Sequence, residues 1–260
     1  MTQRQIRIIS WNVNGIRAAE RKGFTSWLQT SGADIVAVQE TKAHPDQLST
    51  ALREPPGYQA HWCAAETKGY SGVATFSRCA PLTVTRGLDD TRFDHEGRVL
   101  ISTFAEFVLF NIYFPNGGRG PQWVAHKLAF YERFLALVRQ AVDAGQRVVV
   151  VGDVNTAYAE IDLARPRENR TTSGFLPEER AGMDAFFSAG LIDTFRFLHP
   201  TTVRYTWWSP WAGARERNVG WRLDYILVSP QLQDAIVTAE IHTDVLGSDH
   251  CPISVTLMLP

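Results

Sequence analysis

The sequence predicts a layered α/β or α+β fold, and three observations support this prediction. Hydrophobic residues make up 45% of the 260 residues, which is enough to bury one sizeable core. Short apolar runs typical of strands alternate with amphipathic stretches typical of helices, a mixture that indicates sheets covered by helices. No linker-like tract or repeat separates two hydrophobic regions, so we expect a single domain over residues 1–260.

The predicted strands are short runs rich in Val, Ile and aromatic residues, each bounded by Gly, Pro, Asn or Asp. They cover residues 6–13, 35–39, 72–77, 99–103, 107–114, 148–152, 205–208, 223–229, 236–242 and 253–259. Predicted helices lie between some of them, at residues 22–30, 45–52, 122–144 and 177–189. The longest helix carries Trp123, Phe130 and Phe134 at near-helical spacing and precedes Gly145, so we expect a scaffold helix covering a sheet.

The formal net charge of −1 gives the chain no overall attraction to a polyanion, so any surface for nucleic acid must be a local patch. Arginines cluster in two loop-like stretches, at Arg165, Arg167 and Arg170 and at Arg215, Arg217 and Arg222. Both a phosphate-binding patch and ordinary solvated loops are compatible with these clusters.

The cysteines and the apolar runs exclude several classes of protein. Cys63, Cys79 and Cys251 are odd in number and lack paired spacing, which argues against a disulfide framework and a cysteine-based zinc site. The chain starts with a short polar stretch, and no apolar run approaches the length of a membrane span or a signal sequence. We therefore expect a cytoplasmic protein without a membrane partner.

Polar residues interrupt or end the predicted strands at several distant points in the chain. They are Asn12, Asn14, Glu40, Tyr113, Asp153, Asn155, Asp224, Asp249 and His250. Each has an ordinary alternative role, because Asn and Asp at strand ends are common turn formers and Glu40 would also suit the surface. Together they supply carboxylates, carboxamides, one histidine and one tyrosine, an inventory that suits an oxygen-ligated metal ion and a phosphoryl group.

These residue types indicate hydrolysis assisted by Mg²⁺. The ion prefers oxygen ligands and keeps several waters, so Glu40 and Asp249 would suffice to hold it. Asp153 would act as general base on a water that Asn155 holds in line. His250, with its ring fixed by a nearby carboxylate, would donate to the phosphate as negative charge develops.

Two solution properties would follow from this arrangement. If Asp224 holds His250 in the protonated form, the rate should fall on the alkaline side with an apparent pKa above the ~6.5 of free histidine. If basic side chains neutralise phosphates, binding should weaken steeply as salt is added.

Eight motifs give the sequence a specific likeness: SWNVNG at 10–15, VQETK at 38–42, GYSGV at 69–73, EGR at 96–98, YFPN at 113–116, GDVN at 152–155, NVGWRLDY at 218–225 and GSDHCP at 247–252. With these in view, the chain closely resembles the exonuclease III family of abasic-site endonucleases, within the endonuclease/exonuclease/phosphatase superfamily. The resemblance spans essentially the whole sequence. It implies a four-layer sandwich of the DNase I-like type, in which two packed mixed β-sheets are flanked by helices and the site lies at one edge of the sheets.

The same resemblance implies roles for individual residues. The matching catalytic residues are Tyr113, Asp153, Asn155, Asp224 and His250, and the matching metal ligands are Asn12, Glu40 and Asp249, for Mg²⁺ or alternatively Mn²⁺. An apolar pocket for a flipped-out sugar that lacks a base matches Trp207, Trp221 and Leu223. The DNA contacts match Lys68, Gly69, Tyr70, Asn116, Arg119, Asn169 and Trp211.

The implied activity is incision of double-stranded DNA on the 5′ side of abasic sites, leaving a 3′-hydroxyl. Side activities as a 3′–5′ exonuclease and as a 3′-repair phosphodiesterase are implied as well. The form of the 116–120 loop favours abasic-site incision over strong exonuclease action. A monomer that associates with the nucleoid when it acts on DNA is expected.

Three positions depart from the pattern of some relatives. Asn14 stands where some members carry Asp, which removes a carboxylate near the metal. Thr172 stands where an Asn can contact the DNA backbone, and Trp211 replaces a smaller wedge residue. Because the first predicted strand begins at residue 6, no function of an N-terminal extension is expected.

Two other functions stay open on the residues alone. A phosphatase or phospholipase of the same superfamily would share Glu40, Asp153, Asn155, Asp249 and His250, but Trp221 and the arginine-rich loops disfavour it. A non-catalytic binder of damaged DNA would suit arginines interleaved with aromatic residues, yet it would not need the catalytic set.

Overall fold

Two six-stranded mixed β-sheets lie at the centre of the protein in the computed structural model, which describes residues 3–260. Met1 and Thr2, at the polar start of the chain, lie outside the described residues. The strands are β1 (Arg4–Asn12), β2 (Ile35–Gln39), β3 (Gln59–Cys63), β4 (Val73–Ser77), β5 (Thr83–Arg86), β6 (Val99–Thr103), β7 (Val108–Tyr113), β8 (Val148–Asp153), β9 (Ile192–Asp193), β10 (Trp207–Trp208), β11 (Gly220–Trp221), β12 (Asp224–Val228), β13 (Ile236–Ile241) and β14 (Ile253–Leu259).

The first sheet has the strand order β13-β14-β1-β2-β4-β3, and the second has the order β5-β6-β7-β8-β12-β9. The strands β10 and β11 form a separate two-stranded ribbon. Most neighbours are antiparallel, whereas β1 pairs with β2 and β7 with β8 in parallel. The parallel pairs require crossover connections. The β1–β2 connection carries α1 and α2, and the β7–β8 connection carries the long α4.

The helices are α1 (Ile16–Arg21), α2 (Phe24–Thr30), α3 (Thr50–Arg53), α4 (Pro121–Asp143), α5 (Pro177–Ser188) and α6 (Thr194–Leu198). Short 3-10 turns cover Pro45–Gln47, Asp94–Glu96, Glu160–Asp162 and Pro230–Ala235. In the part of the chain that the structure describes, no helix is long and apolar enough to cross a membrane.

The four consecutive valines of β8 are explained by burial of both faces of the strand. Successive side chains of a strand point to opposite faces. Val149 and Val151 therefore join Ile8 of the first sheet in an apolar layer between the sheets, whereas Val148 and Val150 join Phe134 of α4 in a second layer. A third apolar layer lies between the first sheet and α1–α2. The expected four-layer sandwich is confirmed: helices, two sheets, and helices again.

A buried polar contact also links the two sheets close to their functional edge. Gln39 at the end of β2 donates from Nε2 to Asn111 Oδ1 of β7 over 2.8 Å. Asn111 donates in turn to the carbonyl of Ala74 over 2.8 Å and to Thr75 Oγ1 over 3.2 Å. These directional bonds fix how the sheets lie over one another in a layer otherwise held by non-directional apolar packing.

Several predicted elements differ in extent from the observed ones. The helix predicted at 22–30 is wrong at its start, because Gly23 at φ 97° separates α1 from α2. The predicted helix 45–52 is a 3-10 turn followed by the short α3, since Leu48 between them is extended. The predicted strand 205–208 shrinks to Trp207–Trp208 in the ribbon. The edge strands β3 and β5 were not predicted, because β3 is mostly half-buried, β5 is mostly exposed, and both lack an apolar run.

Gly152, just before the end of β8, gives a test of the packing between parallel strands. Its φ is 150°, and a Cβ atom there would lie 1.8 Å from the carbonyl oxygen of Ile112 on β7. We expect Gly152→Ala to lower the free energy of unfolding by about 3 kcal/mol, because backbone must move. Chemical denaturation monitored by circular dichroism measures this.

The matched control is Gly145→Ala, which places the same methyl group at φ 77° but in open space. Only the conformational cost remains there, roughly 1 to 2 kcal/mol. An equal loss of unfolding free energy in the two variants would show that the contact between β7 and β8 has room for a side chain at Gly152.

Candidate active site

Strand ends from both sheets meet at one edge and carry the polar residues that the sequence pattern selected. In the second sheet, Asp153 pairs in register with Tyr113 on one side and with Asp224 on the other. In the first sheet, β1 ends at Asn12 beside the end of β2, where Glu40 follows directly. Residues that are far apart in sequence therefore become neighbours through strand pairing alone.

The side-chain amide of Asn12 joins the two sheets at this edge. Its Nδ2 atom donates to Glu40 Oε2 over 3.1 Å and to Asp153 Oδ2 over 2.9 Å. Asn12 is completely buried, so bulk water does not compete for these hydrogen bonds. The predicted convergence of Glu40 and Asp153 in one place is present, since a single amide contacts both carboxylates.

A chain of polar contacts runs from Glu40 to Asp249 along the rim of the site. Glu40 has a left-handed backbone at φ 54°, and its carbonyl accepts from the N–H of Gly15 over 2.7 Å. Lys42 Nζ lies 3.1 Å from Glu40 Oε1 and donates to Asn14 Oδ1 over 2.5 Å. Asn14 donates from Nδ2 to Asp249 Oδ1 over 2.9 Å. Such strained, tightly held backbone is common where side chains must be aimed at a ligand.

His250 is held between two carboxylates. Its Nδ1 lies 2.8 Å from Asp224 Oδ2, and its Nε2 lies 3.8 Å from Asp153 Oδ2. Burial lowers the pKa of His250, but the charges of Asp224 and Asp153 outweigh it and raise this pKa to about 10. The imidazole is therefore protonated at neutral pH, which is the state that the sequence-based expectation requires.

Asp153 has the properties of a base that works near neutral pH. Burial raises the pKa of Asp153 to about 7, against the opposing positive charge of His250. Its Oδ1 atom accepts from the backbone N–H of Asn155 over 2.8 Å. A carboxylate with a pKa close to the working pH can both take up and release a proton, as a general base must.

Asn155 is fixed on both ends of its amide. Nδ2 donates to the carbonyl of Phe114 over 2.9 Å, and Oδ1 accepts from Asn116 Nδ2 over 2.9 Å. The backbone of Asn155 is left-handed, at φ 55°. Asn116 is itself anchored, because its Oδ1 accepts from the N–H of Gly118 over 2.7 Å. Asn155, predicted to hold the water, and Asn116, predicted to contact DNA, therefore form one rigid unit.

Tyr113 is a buried phenol that stays protonated. Burial and the neighbouring charge of Glu40 raise the pKa of Tyr113 well above 10. Arg98 lies over its ring at 4.8 Å and donates to its carbonyl over 3.2 Å. Arg98 also donates to the hydroxyl of Tyr70 over 2.6 Å, which connects the predicted DNA-contact loop at 68–70 to the site. A protonated phenol in this position is a hydrogen-bond donor to an anion.

The surroundings of Asp249 favour its ionised form. Burial alone would raise its pKa, but the charge of His250 and hydrogen bonds from Asn14 and Trp207 lower it below the ordinary value. Trp207 donates from Nε1 to Asp249 Oδ2 over 3.1 Å. Trp207 therefore serves two purposes, as a wall of the cleft and as a partner of a predicted metal ligand.

Two sets of side chains could hold a metal ion. Ligand atoms of Asp153, Asp224 and His250 lie within 4.8 Å of one another. All three are buried and contact one another, with Asp224 Oδ2 2.8 Å from His250 Nδ1. Glu40 and Asp249 instead line the open cleft with oxygen atoms. Their donor chemistry fits a hard divalent cation.

An open cleft of about 760 Å³ lies over these residues. Its apolar wall comes from Trp207, Trp221 and Leu223, which pack with Phe175 and Leu163. Of the residues predicted for catalysis or metal binding, it is lined by Glu40, Tyr113, Asp153, Asn155, Asp249 and His250. Asn12 and Asp224 lie buried behind this floor, where they contact the lining residues. The structure thus joins a polar floor to an apolar wall.

The predicted DNA contacts separate into two groups. Asn116, Arg119, Asn169 and Trp211 line the cleft, and the indole of Trp211 is 78% exposed. Lys68, Gly69 and Tyr70 lie in a neighbouring loop, where Tyr70 is 5.9 Å from the guanidinium of Arg119. Thr172 also lines the cleft.

The two arginine clusters divide between structural and cleft positions. Arg222 is buried, with ion pairs to Asp162 over 2.8 Å and to Asp193 over 2.7 Å. Arg215 donates to backbone carbonyls such as that of Val245 over 2.8 Å. Arg165 and Arg217 line the cleft. Neither a phosphate-binding patch nor solvated loops describes both clusters completely, because the sequence alone does not distinguish a buried arginine from a surface arginine.

Sequence reasoning missed some residues that hold the site. Arg98 and Lys42 stand inside the quoted motifs but were given no role. Lys127 is a buried lysine on α4 that donates to the carbonyl of Asn155 over 2.7 Å. A signal was available for Lys127, because it falls on the same helical face as the aromatic residues Phe130, Tyr131 and Phe134.

Comparison with known proteins gives a consistent assignment. Residues 9–250 match the Endonuclease/Exonuclease/phosphatase family. The chain is 41% identical to an exodeoxyribonuclease of Bacillus subtilis, over 97% of this chain and 99% of that protein. It is 36% identical to a DNA-(apurinic or apyrimidinic site) endonuclease of Dictyostelium discoideum, over 99% of this chain and 72% of that protein. The solved structure of an AP endonuclease from Archaeoglobus fulgidus matches with a TM-score of 0.89 at 29% identity, covering 97% of this chain and 99% of that chain.

The His250–Asp224 pair generates a titration prediction. Asp224→Asn removes the principal charge that raises the pKa of His250, so this pKa should fall from about 10 toward the ~6.5 of free histidine. A raised pKa contributes stability that is complete below ~6.5 and is lost as pH rises through about 10, so the variant should lose this part of the pH dependence. NMR titration of the imidazole measures the shift.

His242 serves as the internal control in the same spectra. Its pKa is lowered by burial and owes nothing to Asp224, so it should titrate unchanged in the variant. A His250 titration that is the same in both proteins would exclude Asp224 as its stabilising partner.

Proposed function

The chain belongs to the exonuclease III and AP endonuclease family of the endonuclease/exonuclease/phosphatase superfamily, and on this premise we propose that it is a DNA repair hydrolase that incises double-stranded DNA beside abasic sites. The expected cut is on the 5′ side of the lesion and leaves a 3′-hydroxyl. We further propose lesser activities on intact and blocked 3′ ends, since the floor of the cleft would accept any phosphodiester that reaches it.

The observation that carries this proposal is the position of Asp153. It lies between the protonated His250 and the Asn12–Glu40 contact, on the floor of a cleft that has an apolar wall. Three groups therefore surround one small volume: the Asp153 carboxylate with a pKa of about 7, the positively charged ring of His250, and the Glu40 carboxylate as a proposed metal ligand. Hydrolysis of a phosphodiester needs this combination: an activated water, stabilisation of the charge that develops, and correct orientation.

Each residue has a separate task in the proposed reaction. Asp153 takes the proton from the attacking water, and the amide of Asn155 holds that water in line with the phosphorus atom. As the new P–O bond forms, the bond from phosphorus to the 3′ oxygen breaks, and this oxygen leaves as the 3′-hydroxyl after taking a proton from solvent. His250 and the phenol of Tyr113 donate to the non-bridging oxygens as their negative charge grows, and Asn116 orients the phosphate. Asp224 keeps the His250 ring protonated and correctly turned.

Glu40, assisted by Asn12 and Asp249, would hold the divalent cation, for which we propose Mg²⁺ with Mn²⁺ as a substitute. When bound, the cation supplies positive charge that polarises the scissile ester. Lys42 contacts Glu40, Asn14 donates to Asp249, and Lys42 donates to Asn14, so this chain of contacts sets the spacing of the two carboxylates.

The apolar wall explains why an abasic site would be preferred. Trp207, Trp221 and Leu223 form a surface that fits a deoxyribose without a base, and extruding such a nucleotide costs less than extruding a paired one. Arg119, Asn169 and the exposed Trp211 stand around the cleft mouth, where they would contact the DNA on either side of the lesion.

The direct test is incision of a duplex that contains one abasic analogue, compared in one Mg²⁺ buffer with intact 3′-end and 3′-blocked duplexes. Asp153→Asn should lower the rate roughly 10²- to 10⁴-fold, because the general base is lost. The fold should survive, since a carboxylate whose pKa burial raises to about 7 does not stabilise the protein at neutral pH. Gel separation of the products gives the rates.

Asp234→Asn, at a remote acidic residue, is the matched control and should cut normally. Absence of incision by the unaltered protein, or equal cutting of intact DNA, would remove the proposed function. Release of phosphate from phosphoinositides faster than DNA incision would favour a phosphatase instead.

Trp221→Ala tests the role of the apolar wall. We expect the ratio of abasic-site incision to cutting of intact DNA to fall roughly 10- to 100-fold, because one pocket contact supplies discrimination of this size. Trp62→Ala on β3, which removes a similar side chain that packs on Phe76 away from the cleft, should leave the ratio unchanged. If both variants keep the ratio of the unaltered protein, the wall does not select the substrate.

A further inference from the structure

Lys127 is a buried lysine for which the reaction described above has no use. Its side chain is 0% exposed, on the face of α4 that packs toward the second sheet. The ammonium group donates to the carbonyl of Asn155 over 2.7 Å, to Thr156 Oγ1 over 2.6 Å and to Glu179 Oε1 over 2.8 Å. All three of its hydrogens are therefore used, as a desolvated ammonium requires.

Glu179 is the equally buried counter-ion, and it holds a second segment. Its carboxylate accepts from Ser173 Oγ over 2.8 Å, from the N–H of Gly174 over 2.5 Å and from the N–H of Leu176 over 3.1 Å. Ser173 and Gly174 line the cleft. One ion pair thus connects the strand end that carries Asn155 with the loop that forms part of the cleft wall.

The two segments are packed too closely for independent movement. A Cβ atom on Gly174 would lie 3.2 Å from the carbonyl oxygen of Asn155 and 3.4 Å from the ring of Trp221. The N–H of Ala157 also donates to the carbonyl of Gly174 over 2.8 Å. The Gly174 loop therefore stays in place through its own bond to Ala157 when the Lys127 contact is removed.

The backbone of Asn155 needs such external support. Asn adopts a φ of 55° more readily than most residues, but this conformation is still less favourable than the ordinary ones, so surrounding contacts help to hold it. Its side chain is held by Phe114 and Asn116, and its N–H by Asp153. Lys127 is the contact that holds the remaining polar group, the carbonyl oxygen.

We propose that Lys127, paired with Glu179, is a positioning residue for hydrolysis: by fixing the Asn155 carbonyl it sets the direction in which the Asn155 amide meets the attacking water. Lys127 touches neither water nor substrate in this role and acts through Asn155 alone. The inference rests on the proposed function, because it assigns the ion pair to the same reaction.

The first measurement compares kcat and KM of Lys127→Met with the unaltered protein on a duplex that contains an abasic analogue. We expect kcat to fall about 10- to 100-fold, the effect of misorienting a group that contacts the reaction. KM should stay within about twofold, because binding of the duplex does not involve Lys127. Val138→Ala, a buried change on the same helix, is the control for general loosening of the fold and should keep the original kcat.

The second measurement places Lys127→Met in an Asn155→Ala background. If Lys127 acts through Asn155, the added change should lower kcat little further, so the two effects are not multiplicative. Multiplicative effects, or a kcat of Lys127→Met equal to that of Val138→Ala, would overturn the proposal. If Lys127→Met does not fold, Lys127→Met/Glu179→Gln leaves no unpaired charge and is judged by the same criteria.

The two proposals fail in different ways in this experiment. Without incision by the unaltered protein, the proposed function itself is lost. If the unaltered protein cuts and Asn155→Ala impairs it, while Lys127→Met does not, only the positioning role is refuted.

Discussion

The distance between the two sheets at their common edge is the constraint on which the site depends. Asn12 belongs to the first sheet and Asp153 to the second, and they are one hydrogen bond of 2.9 Å apart. The proposed base, Asp153, belongs to the second sheet, and the proposed cation ligand, Glu40, follows a strand of the first. The apolar layer that includes Ile8 and Val151 keeps the sheets in place, and the Gln39–Asn111 bond fixes their alignment. Chemistry at the edge therefore depends on packing in the interior.

The electrostatics of the site follow from this geometry. Placing Asp153, Asp224 and Asp249 close together under a protein surface is unfavourable unless positive charge accompanies them. His250 supplies that charge, which is why its pKa rises to about 10 while the pKa of Asp249 falls. The chain as a whole is nearly neutral, so the functional field is produced locally by a few desolvated groups.

The sequence predicted most of what depends on local pattern. Buried strands such as β2 and β8 were found because both faces are covered, so that each begins with four consecutive apolar residues. A short exposed strand such as β5 has no such apolar run. The resemblance supplied the sandwich and the pocket, which strand patterns alone would not have established.

Partners of buried charges were the harder part to predict. Arg222 resembled a surface arginine, yet it is buried with Asp162 and Asp193, because the folding of distant segments brings these acids to it. Lys127 lies on the apolar face of α4, but its partner Glu179 is 52 residues away in the sequence. Long-range pairing of this kind is a property of topology, and single residues do not reveal it.

The exposed indole of Trp211 has a consequence for the thermodynamics of association. Contacts between arginine and phosphate are screened by dissolved ions, whereas withdrawal of an aromatic ring from water is not. A ring that is 78% exposed in the free protein and becomes covered in a DNA groove would leave a residual affinity at high ionic strength. The same burial would give the association a negative heat capacity change, the signature of apolar surface leaving water.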